Sequence, residues 1–346
     1  MAHNIDRITE LLSEVKHPET GNDIVSLGIV QNLRVEDNII GMSLVFKPND
    51  AFVSSIKRAV EEKLKPIFPD AELRILDLKK QPPKPQKKEY PDVNVKNIIA
   101  IASGKGGVGK STVAVNLAVA LAQRGFKTGL LDADIYGPSI PTMLGISDAR
   151  PMMVERGGFE LIEPVEKFGV KLLSIGFFLT PDDAVIWRGP AATGALRQFT
   201  KQSDWDGLDF LLIDLPPGTS DVHITITQEL DLTAAIIVTT PQKVALADVV
   251  RGVSMFRNKD INVPVAGLIE NMAWFTPAEL PENKYYIFGK DGGKKMAEET
   301  GIPFLGEIPL VQSIRESGDS GTPIVLTDSA SSGAFQKIVD KLLREL

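Results

Sequence analysis

The sequence contains no cysteine among its 346 residues. Disulfide bonds, thiol catalysis and thiolate metal ligands are therefore excluded within this chain. Histidine is also scarce, because only His3, His17 and His223 occur, and they are too scattered for a metal-ligand spacing. We expect each of them to have an ordinary surface or hydrogen-bonding role.

Neither an excess of basic residues nor a long hydrophobic run is present. The formal net charge of −7 argues against a general nucleic-acid binder and leaves open only a local basic patch. The longest apolar runs, such as NIIAIA at 97–102, are far too short to span a bilayer, and the N-terminus has no apolar region behind a basic start. We therefore expect a cytoplasmic protein with neither a nucleic-acid nor a membrane partner.

The length favours two domains, and the first is predicted as a small α/β unit over residues 1–78. Apolar residues recur at helical spacing over residues 5–15, and residues 29–46 predict two strands around a polar turn. A second amphipathic helix is predicted within residues 50–68, and residues 71–78 supply a third strand.

A linker rich in proline and lysine is predicted over residues 79–96. Its composition is typical of a semi-extended segment of about 3 Å per residue. Its lysines fit either a solvated tether or a docking segment for an acidic partner, and the sequence leaves both open.

Residues 97–346 alternate short continuous apolar runs with helical stretches. Runs without polar alternation are typical of strands that are covered on both faces, so we expect a doubly wound, mostly parallel sheet of the α/β class. Ligands of such sheets bind outside the carboxyl ends of the strands. The runs are NIIAIAS, KTGLLDAD, VKLLSIG, DFLLIDLPP, AAIIVTTP, VAGLIEN and PFLGEIP.

A glycine-rich loop with the sequence GKGGVGKS follows the first of these runs and precedes a predicted helix. This is the G-x-x-x-x-G-K-[ST] phosphate-binding motif in its required strand–loop–helix context. Lys110 is predicted to reach the β- and γ-phosphates, and the Ser111 hydroxyl to coordinate Mg²⁺. The predicted nucleotide-binding residues of the loop are Gly104, Lys105, Gly106, Gly107, Val108, Gly109, Lys110, Ser111 and Thr112.

Three aspartates follow predicted strands beside this loop. Asp214 fits the role of holding Mg²⁺ through its water shell. Asp134, beyond its strand end, is better placed to orient or deprotonate an attacking water. For Asp132 a purely structural role as a cap or turn former and a functional role remain equally open.

Lys105 is a second lysine, at the start of the loop, and it is not needed to bind the phosphates of a nucleotide in the same chain. One interpretation is that its side chain is simply solvated. GKGGVGKST, however, resembles the deviant Walker A motif of the MinD/ParA-like ATPases. In that family the extra lysine reaches the phosphates of the partner subunit in a homodimer. The resemblance implies ATP as the nucleotide and Lys105, Lys110 and Asp134 as the catalytic residues.

Further stretches resemble the Mrp/ApbC-type iron–sulfur cluster carriers: DADIYGPSIPTMLGI, WRGP, DLPPGTSD, ENM and GEIPL. The first domain is similar to their N-terminal iron–sulfur assembly domain through DIVSLGIV and its order of elements. The resemblance implies an adenine contact by Asn271, which also fits a simple polar turn residue. It further implies Mg²⁺ near Ser111 and Asp214, a [4Fe–4S] cluster, and iron–sulfur apoproteins or assembly proteins as partners.

One feature of that family is missing. Its cluster-carrying members have a C-x-x-C after the ENM strand, whereas this chain has Thr276, Pro277, Ala278 and Glu279 there. The sequence therefore predicts an ATP-dependent iron–sulfur carrier or assembly factor without its own thiolate ligands. One alternative is a MinD/ParA-like ATPase switch for positioning or partner regulation without a cluster. The other is a scaffold whose first domain recognises a client.

The last predicted helix bears on the membrane alternative. Residues 331–346 carry Phe335, Ile338, Val339, Leu342 and Leu346 on one side. Such a face fits either a membrane surface or a helix that caps the sheet, and the balanced charges favour the cap.

Overall fold

The computed structural model describes most of the chain, which divides into two compact units, Met1–Glu89 and Tyr90–Leu346. Several residues singled out above lie outside the described part: His3, the turn at 37–38, linker residues 80–89 and 91–92, Trp187 of WRGP, and Ala278. The described residues are 5–36, 39–46, 50–79, 90, 93–135, 137–178, 189–277, 279–280 and 282–346.

The first unit is a three-stranded sheet with two helices. Strand β1 is antiparallel to β2, and β2 is parallel to β3. The apolar faces of both helices are buried, with Ile8, Leu12, Ile56 and Val60 in one core. The order of elements is the predicted one, although the first helix ends before Val15. The elements are α1 (Ile5–Ser13), β1 (Val30–Glu36), β2 (Ile39–Phe46), α2 (Val53–Leu64) and β3 (Glu72–Lys79).

The second unit contains the other strands and helices of the described residues. They are β4 (Val95–Ala102), α3 (Lys110–Gln123), β5 (Thr128–Asp132), α4 (Ile140–Met143), β6 (Met152–Arg156), β7 (Phe159–Glu163), β8 (Val165–Lys167), β9 (Val170–Ser174), α5 (Gly189–Lys201), β10 (Leu208–Asp214), α6 (Asp221–Glu229), β11 (Ala234–Thr239), α7 (Lys243–Phe256), β12 (Val265–Glu270), α8 (Gly292–Thr300), β13 (Phe304–Glu307), α9 (Gln312–Asp319) and α10 (Ala330–Glu345).

An eight-stranded sheet in the order β13-β12-β11-β4-β10-β5-β9-β8 organises this unit. Every pair is parallel except β8 with β9. All seven apolar runs lie in this sheet, which confirms the predicted doubly wound, mostly parallel α/β fold. Asp214 is in register with Asp132 and with Ile101, so the carboxyl ends of three strands meet at one edge.

The sequence did not predict the ribbon formed by β6 and β7. Its strands pair antiparallel outside the main sheet. Met152 and Met153 are 66% and 52% exposed. Strand β6 has no buried residue and therefore shows no apolar alternation, which removes the signal on which strand prediction depends.

Helix α10 covers the sheet. Phe335, Ile338, Val339 and Leu342 are buried in the core that α3 and the sheet share, whereas Leu346 follows the helix and is exposed. The apolar face is therefore used for packing, as the capping interpretation predicted, and is not available to a membrane surface. Within the described ranges, no helix has the length and apolarity needed to cross a bilayer.

Candidate functional site

The phosphate loop connects the central strand β4 to the first residue of α3. Gly107 and Gly109 have φ of +82° and +81°, a region that favours glycine. A Cβ at Gly109 would lie 2.2 Å from the Asn271 amide nitrogen. Glycine at this position therefore permits both the left-handed turn and the close approach of β12.

Lys110 and Ser111 both contact the carboxylate at the end of β10. The Lys110 ammonium lies 2.6 Å from Asp214 Oδ1, and the Ser111 hydroxyl donates to Oδ2 over 2.6 Å. Asp214 is fully buried and Lys110 is 6% exposed. Burial raises the pKa of Asp214, while Lys110 and Ser111 act in the opposite direction. The structure thus brings together the predicted phosphate-binding lysine and the two predicted Mg²⁺ residues.

Asp132 lies at the end of the neighbouring strand. Its carboxylate accepts hydrogen bonds from the Ser174 hydroxyl (2.9 Å) and from the backbone N–H groups of Asp134 (3.2 Å) and Ile140 (3.4 Å). These contacts give it the turn-forming role that the sequence left open. Burial, together with the nearby Asp214 charge, raises its pKa to about 7.

Two buried carboxyls therefore share one buried ammonium in this part of the site. Carboxylate and hydroxyl oxygens are the hard ligands that Mg²⁺ prefers, and a bound cation would offset the excess negative charge. The donor set of Ser111 and Asp214 fits the predicted magnesium ion.

A cavity of about 200 Å³ lies over the phosphate loop. Asp134 is half-buried and lines it, as do Ser139, Met143 and Pro217. Lys105 also lines the cavity but is exposed, and its carbonyl accepts a hydrogen bond from the Ser103 hydroxyl (3.0 Å). The Asp134 carboxyl is thus close to the predicted phosphate position, while the Lys105 ammonium has solvent around it.

A second cavity of about 470 Å³, which we call the base cavity, shares Gly109, Thr112, Ser139 and Met143 with the first. It is large enough for a nucleoside next to the phosphate site. Its lining also includes Asn271, Ile314, Arg315, Asp319 and the segment 309–311.

Asn271 joins the base cavity to the phosphate loop. Its side-chain amide donates to the Val108 carbonyl over 2.8 Å, and its backbone N–H donates to the Thr239 carbonyl over 2.8 Å. It is 6% exposed. The structure therefore places Asn271 against the loop, whereas the residues of α9 in the same cavity carry no motif by which the sequence could have predicted them.

Glu270 is a buried residue of this region that the sequence analysis did not single out. It is 1% exposed, and one carboxylate oxygen accepts a hydrogen bond from the Gly293 N–H at the start of α8. The other oxygen has no hydrogen-bond partner among the described residues. Burial raises its pKa to about 7, and Glu307 and Asp291 add to the rise. Glu270 thus holds α8 beside the strand end that carries Asn271.

The shifted pKa of Glu270 predicts a pH dependence of stability. Between pH 4.5 and about 7 the folded chain binds a proton that the unfolded chain releases, so Glu270 lowers the free energy of unfolding as pH rises. We expect Glu270→Gln to raise that free energy by roughly 2 to 3 kcal/mol above pH 7 and to have little effect near pH 4.5. Denaturant titrations across this range measure the difference.

Glu298 provides the matched control, because it is exposed on the same helix α8. Glu298→Gln should leave the stability profile close to that of the wild type. Parallel profiles for wild type and Glu270→Gln would contradict the prediction.

The segment after β12 does not fit a [4Fe–4S] cluster. Thr276, Pro277 and Glu279 offer no thiolate, and the whole chain has no cysteine. In the part of the chain that the structure describes, no group of three or more histidine, aspartate and glutamate side chains is arranged to hold a metal ion. The ligands that such a cluster requires are therefore missing.

Comparisons with known proteins cover both units. Residues 94–343 match the ParA family described as "NUBPL iron-transfer P-loop NTPase", and residues 5–73 match the family described as "Iron-sulfur cluster assembly protein". A protein named "Iron-sulfur cluster carrier protein" from Synechocystis sp. is 44% identical over 97% of this chain and 96% of its own length. A protein of the same name from Aquifex aeolicus is 53% identical over 72% of this chain and 67% of its own length.

Solved structures resemble the second unit. A nucleotide-binding protein from Archaeoglobus fulgidus in complex with ADP is 37% identical, with a TM-score of 0.57, over 66% of this chain and 87% of its own. The septum site-determining protein MinD from Pyrococcus horikoshii, complexed with Mg-ADP, is 27% identical, with a TM-score of 0.53, over 71% of this chain and 95% of its own.

Proposed function

The chain belongs to the ParA family of NUBPL iron-transfer P-loop NTPases, and from this we propose that it is an ATP-hydrolysing iron–sulfur carrier or assembly factor that works as a nucleotide-switched homodimer. The observation that carries the proposal is the buried cluster of Lys110, Ser111 and Asp214 beneath a phosphate-sized cavity. That cavity continues into the base cavity, so a whole nucleotide fits along the carboxyl edge of the sheet.

In this proposal the chain's own residues bind and orient ATP. Lys110 moves its charge from Asp214 to the β- and γ-phosphates, and the N–H groups at the start of α3 add positive potential. Ser111 and Asp214 would hold Mg²⁺, which when bound would supply further positive charge to the phosphate oxygens. Asn271 contacts the adenine from the wall of the base cavity.

Hydrolysis then needs a positioned water and more positive charge. Asp134 orients the water for in-line attack on the γ-phosphate, because its carboxyl lines the phosphate cavity. Lys105 of one subunit neutralises charge at the partner's phosphates. Its exposure supports this role, since an ammonium group that is to cross an interface must be free to leave its own loop.

We propose residues 1–78 as the iron–sulfur assembly domain and 97–346 as the ATPase. Strand β3 reaches Lys79 and strand β4 begins at Val95, so the linker predicted over 79–96 is shortened to 80–94. The match of residues 5–73 to an iron–sulfur cluster assembly family supports a role of the first domain in recognising iron–sulfur apoproteins or assembly proteins.

Because the chain lacks thiolates, we propose that its iron–sulfur cargo is held by partner ligands and that the chain supplies the ATP-driven switch. The test is anaerobic reconstitution of the full chain with iron and sulfide, with and without Mg-ATP, measuring iron per chain and visible absorption. We expect no stoichiometric cluster, together with intact ATP hydrolysis.

The double variant Thr276→Cys/Glu279→Cys is the matched control, since it restores a C-x-x-C spacing after β12. We expect it to take up iron and sulfide under the same conditions. A stoichiometric cluster on the wild-type chain would overturn the cargo assignment, and absence of ATP hydrolysis would overturn the proposed function itself.

A further inference from the structure

A third cavity of the second unit takes no part in the proposed nucleotide site. It has a volume of about 680 Å³ and lies between the segment after β12, strand β13 and helix α10. We call it the Trp274 cavity and define it by Trp274, Lys284, Glu307, Lys337 and Lys341. Its volume falls within the range of clefts that bind ligands.

The charge of the Trp274 cavity is positive. Among the described residues of its lining, three are lysines and Glu307 is the single carboxylate. Within the described residues, none of the three ammonium groups forms an ion pair with a carboxylate. Lys284 lies 3.8 Å from the centre of the Trp274 ring, and Lys341 donates to the Phe304 carbonyl over 3.2 Å. A cleft with uncompensated positive charge attracts anions.

Exposed apolar side chains follow in the same segment. Leu280 is 49% exposed, and directly after Lys284 the side chains of Tyr285, Tyr286 and Ile287 are 46%, 39% and 60% exposed. A small anion would not need such a surface. Apolar and aromatic groups beside lysines are the chemistry that recognises a peptide carrying both carboxylates and apolar side chains.

One wall of the Trp274 cavity is also a wall of the base cavity. Pro309 and Val311 line both cavities. Between them, the Leu310 N–H donates to the Trp274 carbonyl over 2.7 Å. A ligand on either side therefore contacts the same short segment, which provides a physical route for coupling between the two sites.

We propose that the Trp274 cavity binds an acidic peptide segment of a partner protein and that its occupancy changes the affinity for nucleotide. Carboxylates of the peptide pair with Lys284, Lys337 and Lys341, and an apolar side chain packs on Trp274. The binding part stands without the proposed ATPase function, whereas the coupling part rests on the nucleotide site.

The binding part is tested with a fluorescein-labelled peptide of about twelve residues of glutamate, aspartate and leucine, titrated with the full-length chain. We expect binding that weakens with salt and that falls by about tenfold or more in Lys337→Gln/Lys341→Gln. The control Lys259→Gln/Lys295→Gln removes two exposed lysines outside this lining and should leave the affinity unchanged. A second variant, Trp274→Ala, should weaken binding at high salt as well.

Three results would overturn the binding part. The first is equal peptide affinity of the wild type and the Lys337→Gln/Lys341→Gln variant. The second is equally strong binding of a peptide in which glutamine and asparagine replace the acidic residues. The third is binding of a single-stranded oligonucleotide that depends on these lysines, without binding of the peptide.

The coupling part is tested by repeating the peptide titration with saturating Mg-ADP. We expect the peptide affinity to change by about fivefold or more and the ADP affinity to change by the same factor when peptide is present. An equal peptide affinity with and without bound ADP would overturn the coupling. If the chain binds peptide but no ADP, the nucleotide site has failed and the coupling fails with it, while the peptide site stands.

Discussion

Replacing Lys110 with alanine is expected to reduce ATP hydrolysis by about 10³-fold or more. Lys110 is the buried cation of the phosphate cavity, and its ammonium lies 2.6 Å from Asp214. Without it, the charge that develops on the γ-phosphate has lost its main protein partner. The rate of phosphate release, measured with Mg-ATP at saturation, is the direct readout.

The loss must be separated from unfolding, because the substitution leaves the buried Asp214 without its ammonium. Burial already raises the pKa of this carboxyl, so it can become neutral when Lys110 is absent. Lys110→Arg is the control, because it retains the positive charge beside Asp214 but not the point-charge geometry of an ammonium. We expect both variants to fold, as circular dichroism can show, and both to be slow.

Asp134→Ala gives a useful contrast, since this carboxyl lines the cavity without holding the phosphates. It should bind ATP normally but hydrolyse it slowly. If Lys110→Ala kept more than about one tenth of the wild-type rate, the phosphate role of Lys110 would be wrong.

The phosphate loop could be predicted because its chemistry is local in sequence. Glycines with positive φ, a lysine and a serine at the start of a helix all lie within nine residues, 104–112. Asp132 and Asp214 could be placed beside it because parallel strands bring their carboxyl ends to one edge. The hydrophobic runs that predicted those strands are continuous, since both faces of the sheet are buried.

The base cavity and the Trp274 cavity could not be predicted in this way. Their walls combine segments that are far apart in sequence, such as Thr112, Asn271 and Arg315 in the base cavity. The burial of Glu270 likewise depends on helix α8, whose Gly293 approaches it from twenty-three residues further along the chain. Only the packed fold brings such residues together, and no spacing in the sequence encodes them.

The second large effect is expected for Lys105→Ala, which should slow ATP hydrolysis by about 10²- to 10³-fold. In contrast to Lys110, Lys105 is exposed, so its removal should leave the stability of the chain unchanged. Its proposed role is at the partner's phosphates, and the loss should therefore appear in hydrolysis rather than in folding. Rates over a range of protein concentrations, with thermal unfolding of the same samples, make the measurement.

Mixing two inactive variants distinguishes action across the dimer from action within one subunit. In a mixed dimer, the Lys105→Ala subunit retains its own Lys110, and the Lys110→Ala subunit supplies Lys105 to it. Random pairing makes half of the dimers mixed, and each mixed dimer has one complete site out of two. An equimolar mixture should therefore recover about one quarter of the wild-type rate. If Lys105 acts on the nucleotide of its own subunit, the mixture should be as inactive as either variant alone. The cross-subunit role would then be wrong.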